Sequence, residues 1–536
     1  MPLLDDPNEA EYAEVAREMV ESGDWISPRL KYVLFLNKPP LTYWLIGVSD
    51  LAFGVNEFSA RFPIALAGVL VLLLLVYIGR QIYDAHTGLL AGFVLLASTG
   101  FFFETHEVRP DLVLTAGVVG SIAAFARLRQ VTPAQMRWPL IALQISLAMG
   151  VLAKGLLGIV IPCLVFAVVL VLERRFDLMR VLLHPRAWWL CALLTVPWHA
   201  VAAIRHPGFL WDYFINQHLL FFFDRKLPRD SVPVSLPVFW GTFGLRVFPW
   251  TLFAPLAVAA ALWRMRLRQD SRGDHLVLTW AAVVLLFFST ASSRMEHYSI
   301  PVLPAFALLI AKLFRDYARG ETWALPNLTR AHIVVFAAVA ALGPLIIPWL
   351  IEGKTWLAPM GDLSDLARLT SGVLAAGALA AAVAAVSERR GWVVPALVTS
   401  MVIAIPLFHR GLTLMSRVAS SAGMAAAISA VADPEESVVY EAPTEYQTCA
   451  GLNFYMRRRL TLVQPPGFIP PTYLTPHMDE LFITRSQLER LWREQRVFLI
   501  TDPLVPRARL DGSMPEPFYV VARLHDWWAV TNRPVH

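Results

Sequence analysis

The chain has 536 residues, 56% of them hydrophobic and only 16% charged, with a mean hydropathy of +0.53. That apolar share exceeds what a soluble core can hide, so an ordinary globular protein is excluded and an integral membrane protein is implied. The net charge of +5 comes mainly from Arg and Lys between apolar segments, where they orient helices in a bilayer, and it does not point to nucleic acid.

The opening residues are rich in carboxylates. Asp6, Pro7 and Glu9 fit the N-cap, N1 and N3 positions of a helix, and Gly23 supplies its stop. Between them Tyr12, Val15, Met19 and Val20 recur at helical spacing, while Glu11, Glu14, Arg17, Glu18 and Glu21 cover the other faces. The pattern predicts an amphipathic helix lying on a membrane surface rather than crossing it. A second juxtamembrane helix follows Pro39-Pro40 and carries Tyr43, Trp44, Ile46 and Leu51. Residues 1–60 are thus expected to form an exported juxtamembrane loop.

A transmembrane domain over 61–432 comes next, with apolar stretches at about 61–79, 88–104, 109–127, 138–152, 154–172, 187–204, 246–264, 276–291, 298–314, 331–350, 368–387 and 391–409. These predict about twelve spans. Arg80, Arg127, Arg129, Arg137, Arg174, Arg175, Arg180, Arg186, Arg264, Arg266, Arg268, Arg272, Lys312, Arg315, Arg319, Arg330, Arg389 and Arg390 fall on one side, which the positive-inside rule makes cytoplasmic. The opening segment, the 105–109 turn, the aromatic-rich loop 205–245, the 292–297 turn, the 351–367 loop and everything after 410 are then exported. Exporting residues 1–60 requires a preceding anchor, so one more helix is expected upstream of Met1. Residues 433–536 read as a small exported α/β domain, with strands at 438–440, 460–463, 497–500 and 519–521 and a helix at 484–494.

The candidate chemistry lies on the exported face. Asp6 and Glu9 have two readings, a helix cap or a general base. Glu104, His106, Glu107, Arg109 and Asp111 cluster at one turn, where Asp111 is either catalytic or part of a structural ion pair. Arg294 fits bidentate phosphate binding and Tyr298 fits a hydrogen-bond donor to it, the alternative being interfacial anchors. Lys154 has two readings, a buried partner or a snorkelling residue at a helix end, and the second is preferred. His106, His199, His206, His218 and His297 have no metal-site spacing, and no Gly-rich nucleotide cradle follows a strand. No metal or other cofactor is therefore assigned. Cys163, Cys191 and Cys449 suggest no disulfide framework.

Taken with residues 8–19 (NEAEYAEVAREM), Ser22-Gly23-Asp24-Trp25, Asn37-Lys38-Pro39-Pro40, Tyr43-Trp44, Arg109-Pro110-Asp111 and residues 297–301, the chain resembles the 4-amino-4-deoxy-L-arabinose lipid A transferase family. More distantly it is similar to the protein O-mannosyltransferases. The resemblance implies a polytopic α-helical fold of GT-C type, with the family's first helix missing here, and transfer of a sugar from a polyprenyl (undecaprenyl) phosphate carrier. The acceptor would be lipid A, another glycolipid or a protein at the outer face of a bacterial cytoplasmic membrane. The family's opening Asp-Glu is Asn8-Glu9 here, so Asp6 or Glu9 would replace the missing acid. Lys38 matches the family's phosphate-binding Lys, whereas the Glu before it, linked to a divalent metal, is Asn37. Tyr298 matches a position tied to the carrier phosphate. The implied site is thus Glu9, Asp6 and Asp111 for catalysis, with Lys38, Arg109, Arg294 and Tyr298 for the carrier. A lipid or polysaccharide transporter and an inactive scaffold are the competing readings.

Overall fold

A computed structural model describes residues 1–229, 232–267, 272–352, 354, 361–442, 446–465, 467–501, 517–524 and 527–534. Arg268 and parts of loops 205–245 and 351–367 lie outside them. The chain forms two compact units. One joins Met1–Phe62, Trp198–Val232 and Leu412–His536; the other joins Pro63–Pro197 and Pro233–Gly411.

The second unit is helical. Across the chain, seven helices among the described residues are long and apolar enough to cross a membrane, or nine if two bent pairs each count as one span. The pair Ala85–Leu96 and Thr99–His106 bends by 65°, and the pair Leu236–Val247 and Thr251–Arg266 by 107°. The expected stretches at 154–172 and 187–204 are helices of 16 and 17 residues, and 138–152 lies in the Arg137–Lys154 helix. Glycines let neighbouring backbones touch, the usual device where lipid supplies no hydrophobic drive. A Cβ on Gly88 would stand 2.5 Å from the Val76 carbonyl oxygen, and one on Gly158 would stand 2.2 Å from the Gly150 carbonyl carbon.

At the end of these helices where Arg264 lies, one group of charges is buried. Arg264, expected as a topogenic surface charge, grips Asp274 with two bonds of 2.7 and 2.8 Å and reaches Asp316 at 3.3 Å. Lys312 adds a 2.6 Å bond to Asp316, and Trp323 and Tyr83 donate to Asp316 and Asp274.

In the first unit, α1 (Asn8–Ser22) ends where Gly23 turns left-handed at φ 69°. A tight hairpin of β1 (Arg29–Leu30) and β2 (Val33–Leu34) follows, then α2 (Leu41–Phe53) begins after Pro40. Glu9, Glu14, Arg17 and Glu18 are all buried, because partners from elsewhere in the unit enclose the helix on its polar faces too.

The C-terminal sheet comprises β3 (Ser437–Glu441), β4 (Thr461–Val463), β5 (Phe482–Ile483), β6 (Val497–Thr501), β7 (Tyr519–Leu524) and β8 (Trp527–Thr531). Their order is β5-β4-β3-β6-β8-β7, parallel from β5 to β6 and antiparallel thereafter. Strand alternation gives the sheet two apolar faces. Val439, Leu499 and Val530 meet Leu488 and Trp492 of the Arg485–Glu494 helix, which Thr484 and Gln487 cap reciprocally. Val438, Tyr440, Phe498 and Ile500 share the other core with Val33, Leu36, Trp198, Phe209, Tyr213 and Met424. That shared core is why three distant segments form one unit.

A Gly88→Ala change should lower the unfolding midpoint of the detergent-solubilised protein, by the ~1–3 kcal/mol typical of overpacking, because the atoms in the way are backbone. An unchanged midpoint would show that the helices can separate at little cost.

Candidate active site

In the helical unit, the Arg109-Pro110 turn starts the Asp111–Leu128 helix, placing a carboxylate in its first turn where the peptide dipoles favour negative charge. Lys154 ends the Arg137–Lys154 helix, which Gly155 terminates at φ 77°. These helix ends meet. Lys154 Nζ lies 2.5 Å from Asp111 Oδ1, with both side chains buried. Lys154 is thus a buried partner and not a snorkelling residue. The other Asp111 oxygen is 4.0 Å from His297 Nε2, and Lys154 Nζ stands 4.8 Å over the Tyr298 ring. His297 and Tyr298 sit on the tight turn Glu296–Val302 that leads into the Leu303–Arg319 helix. His297 Nδ1 has no hydrogen-bond partner among the described residues.

Other candidates in this unit have definite partners. Arg109 lies 3.2 Å from Glu107, and Arg246 lies 2.6 Å from the buried Glu104. Arg294 donates to the carbonyls of Val234 and Ser289 at 3.3 and 3.2 Å. Sequence reasoning missed Arg246 and the pairing of Lys154 with Asp111. The signal available was a lone Lys beside a helix-ending Gly.

Glu9 and Asp6 are differently placed in the first unit. Arg61 binds both oxygens of Glu9, at 2.9 and 2.6 Å, and continues to the Pro2 and Leu3 carbonyls. Glu9 also accepts the Asp5 N–H at 3.1 Å. Asp6 does not cap α1; it accepts from the Gly451 and Ser421 backbone N–H groups at 2.8 and 3.0 Å. Pro7 occupies the N-cap position without a side-chain bond. The chain bends so that the Asp6 side chain faces residues more than 400 positions away, and the local capping pattern gives way to that tertiary contact. Asn8 is exposed, and its amide donates to Asp5 at 3.4 Å.

Lys38 is half-buried. It lies close enough to His218 to disfavour the imidazolium there, and burial is the larger cause holding that imidazole down at about 4. His218 belongs to Trp211–Leu220, a stretch of π-helix, a wide turn associated with functional sites. Asn37 accepts from Gln217 at 2.9 Å. A neutral amide already engaged in this way does not fit the metal-linked Glu of the resembled family. Among the described residues no group of three or more His, Cys, Asp or Glu is placed to hold a metal ion.

The polar faces of α1 carry a charged network. Arg17 makes a two-point bond to Glu14, both contacts 2.7 Å, and a 2.6 Å bond to Glu21. Glu18 accepts the Tyr32 N–H with both oxygens, at 3.0 and 2.9 Å; burial and the adjacent Glu14 hold its carboxyl well above the usual range. The β1–β2 turn places Lys31 and Tyr32 at φ 56° and 64°, a conformation that side chains other than Gly or Asn adopt at a cost. Lys31 is 1% exposed. Its amine donates to the Thr448 carbonyl at 2.6 Å and sits 3.4 Å over the Tyr440 ring. Burial lowers it to about 8, against the attraction of Cys449, Asp6, Glu14 and Glu18.

Residues 6–214 match the family described as dolichyl-phosphate-mannose-protein mannosyltransferase. The solved structure of ArnT from Cupriavidus metallidurans bound to undecaprenyl phosphate superposes with a TM-score of 0.85 at 24% identity, covering 99% of this chain and 95% of that one. The chain has a GT-C membrane fold. An undecaprenyl phosphate-alpha-4-amino-4-deoxy-L-arabinose arabinosyl transferase of Proteus mirabilis is 29% identical over 66% of this chain and 63% of its own length. That of Edwardsiella ictaluri is 27% identical over 73% and 70%. The match thus spans just under two thirds of the Proteus protein. The resemblance stated from the opening motif and the Lys38, Asp111 and Tyr298 segments points to the same group.

Lys31 gives a pH signature. Between pH 8 and its ordinary value of 10.5, the unfolded chain keeps a proton that the folded chain has released, so stability rises with pH across that window. Relative to Lys31→Met, the wild-type protein should gain on the order of a few kcal/mol from pH 8 to 10.5 in denaturant melts. A constant difference would mean that the buried amine titrates as it does in water.

Proposed function

We propose that this protein transfers a sugar from a polyprenyl phosphate carrier to a lipid acceptor, lipid A as the sequence resemblance implies. The reaction takes place at the outer face of a bacterial cytoplasmic membrane, with about twelve crossings if the shorter and bent helices count. One observation carries the reading. In a GT-C fold whose relatives are named as undecaprenyl phosphate-aminoarabinose transferases, Asp111, Lys154, His297 and Tyr298 meet at the ends of separate helices. A passage for a transported lipid has no need of a paired acid and base at one point.

Asp111 serves as the base. The acceptor hydroxyl attacks the anomeric carbon, the bond from that carbon to the phosphate oxygen breaks, and the proton passes to Asp111. The polyprenyl phosphate leaves with the bonding electrons. Lys154, between Asp111 and Tyr298, shares its charge with the phosphate as that charge grows and so releases the carboxylate at the moment a base is needed. Tyr298, Arg109 and Arg294 hold the carrier phosphate. One displacement inverts the sugar carbon and leaves no sugar on the protein.

Glu9 and Asp6 have a different part in this reading. Their oxygens are taken by Arg61 and by backbone N–H groups, so they anchor the opening segment. The reaction routes no proton through them or through Asn8. An Asn at that position is therefore compatible with activity.

Reconstituted with undecaprenyl phosphate-linked 4-amino-4-deoxy-L-arabinose and lipid A, Asp111→Asn should slow transfer by about 10²–10⁴-fold, the range for loss of a general base. Glu9→Gln should leave turnover within a few-fold while destabilising the fold by roughly 3–5 kcal/mol, as expected when one partner of a buried ion pair is removed. Mass spectrometry of the product and a thermal melt separate the two effects. Full activity of Asp111→Asn would defeat the assignment, and lipid movement without a new sugar bond would favour a transporter.

A further inference from the structure

The Asp111–Leu128 helix has 18 residues, so its far end lies about 27 Å from Asp111 at ~1.5 Å per residue. A second polar site lies there. A cavity of about 450 Å³ is lined by Arg129, Arg175, Arg272, Glu173, Gln81 and Gln130, among others. Arg129 is fixed by Glu173, with one bond of 3.1 Å and a second closer contact, and by the Arg272 carbonyl at 2.9 Å. Gln130 donates to the Gln81 carbonyl at 3.1 Å. The Arg175 guanidinium reaches the Arg129 carbonyl at 3.3 Å and Asp177 at 3.0 Å.

The local backbone is built to present these groups. After the Leu157–Leu172 helix, Arg174 turns left-handed at φ 54°, a place where Gly is usual and a side chain costs energy. That turn closes with Arg175 N–H donating to the Leu170 carbonyl at 2.9 Å and brings the Arg175 side chain to the cavity. The Arg272–Thr290 helix begins at the same cavity, and the start of a helix favours an anion. Three guanidinium groups line the cavity against one carboxylate, Glu173. Even with Asp177 counted, cations are in excess. Gln81 Oε1 is buried without a partner among the described residues, and the Arg272 guanidinium has no ion-pair partner among them.

We infer that this cavity binds the phosphate group of an anionic phospholipid from the cytoplasmic leaflet. Three arginines can supply the charge-assisted, two-point contacts that a phosphodiester accepts, and basic pockets at cytoplasmic helix ends are a recurring form of headgroup site. Val171, Leu172 and Phe176, on either side of Glu173–Arg175 in sequence, are exposed apolar residues suited to acyl chains, which a soluble phosphate does not need. The site stands apart from the proposed reaction and does not rest on it.

Native mass spectrometry of the full chain released from detergent tests the inference, comparing phosphatidylglycerol with phosphatidylcholine, and inorganic pyrophosphate as a soluble phosphate. The wild-type protein should retain phosphatidylglycerol preferentially, and the Arg175→Gln/Arg272→Gln double variant should retain it about tenfold less. Both proteins should melt at the same temperature in phosphatidylcholine; if the double variant does not fold, Arg272→Gln alone, at an exposed position, takes its place. Arginine-dependent binding of pyrophosphate without lipid preference would overturn the lipid assignment in favour of a soluble phosphate compound. No arginine-dependent binding of either would overturn the site altogether.

Discussion

A charge withdrawn from water needs an opposite charge, and that requirement organises both units. Many buried carboxylates have a cation: Asp111 has Lys154, Glu104 has Arg246, Glu9 has Arg61, Glu14 has Arg17, and Asp274 and Asp316 share Arg264, while Glu18 and Asp6 are held by backbone N–H groups instead. Such pairs add little net stability compared with apolar residues of the same size, yet separating them is costly. Their value is in specification. Asp111 and Lys154 are 43 residues apart and Glu9 and Arg61 are 52 apart, so each pair excludes arrangements in which those segments fail to meet.

Complete pairing separates anchors from groups able to react. Both oxygens of Glu9 are held by one planar guanidinium, and a proton placed on it would break two bonds and strand Arg61. Asp111 differs because only one of its oxygens is held by Lys154 at short range, while the other faces an imidazole 4.0 Å away. Lys154 is also a point charge on a flexible stem, able to change partners at less cost than Arg61. The same chemistry that makes Glu9 a poor base makes it a good anchor for α1.

What could be read from the sequence follows how local each signal is. Apolar stretches predicted a largely helical chain because apolar length depends only on nearby residues, with seven helices, or nine counting bent pairs, long enough to span among the described residues, and Gly23 and Thr484 marked helix ends through their own turns. Bends of 65° and 107° depend on packing and were not legible. Periodicity found the apolar stripe of α1 but not its buried charges, since Ser421, Gly451 and Arg61 lie far away in sequence. In the C-terminal sheet, β5 has two residues and β8 opens with two Trp near the chain end, too little pattern to stand out. At the candidate site, Asp111, Arg109, Arg294 and Tyr298 were singled out by polar residues at helix ends. Lys154 was placed at the wrong kind of position because its partner belongs to another helix.

The two ends of the Asp111–Leu128 helix illustrate opposite solutions to the same problem. At the Asp111 end, acid and base are matched within the protein, and reactivity comes from how easily that match can be redistributed. At the Arg129 end the match is incomplete: three guanidinium groups line one cavity with a single carboxylate among the lining, and a left-handed Arg174 helps to hold them there. Arg129 is matched by Glu173 and Arg175 by Asp177, which leaves the exposed Arg272 guanidinium as the excess charge at the cavity. A fold that pairs so many of its charges within the protein has reason to keep an extra cation beside matched ones where a counter-charge arrives from outside.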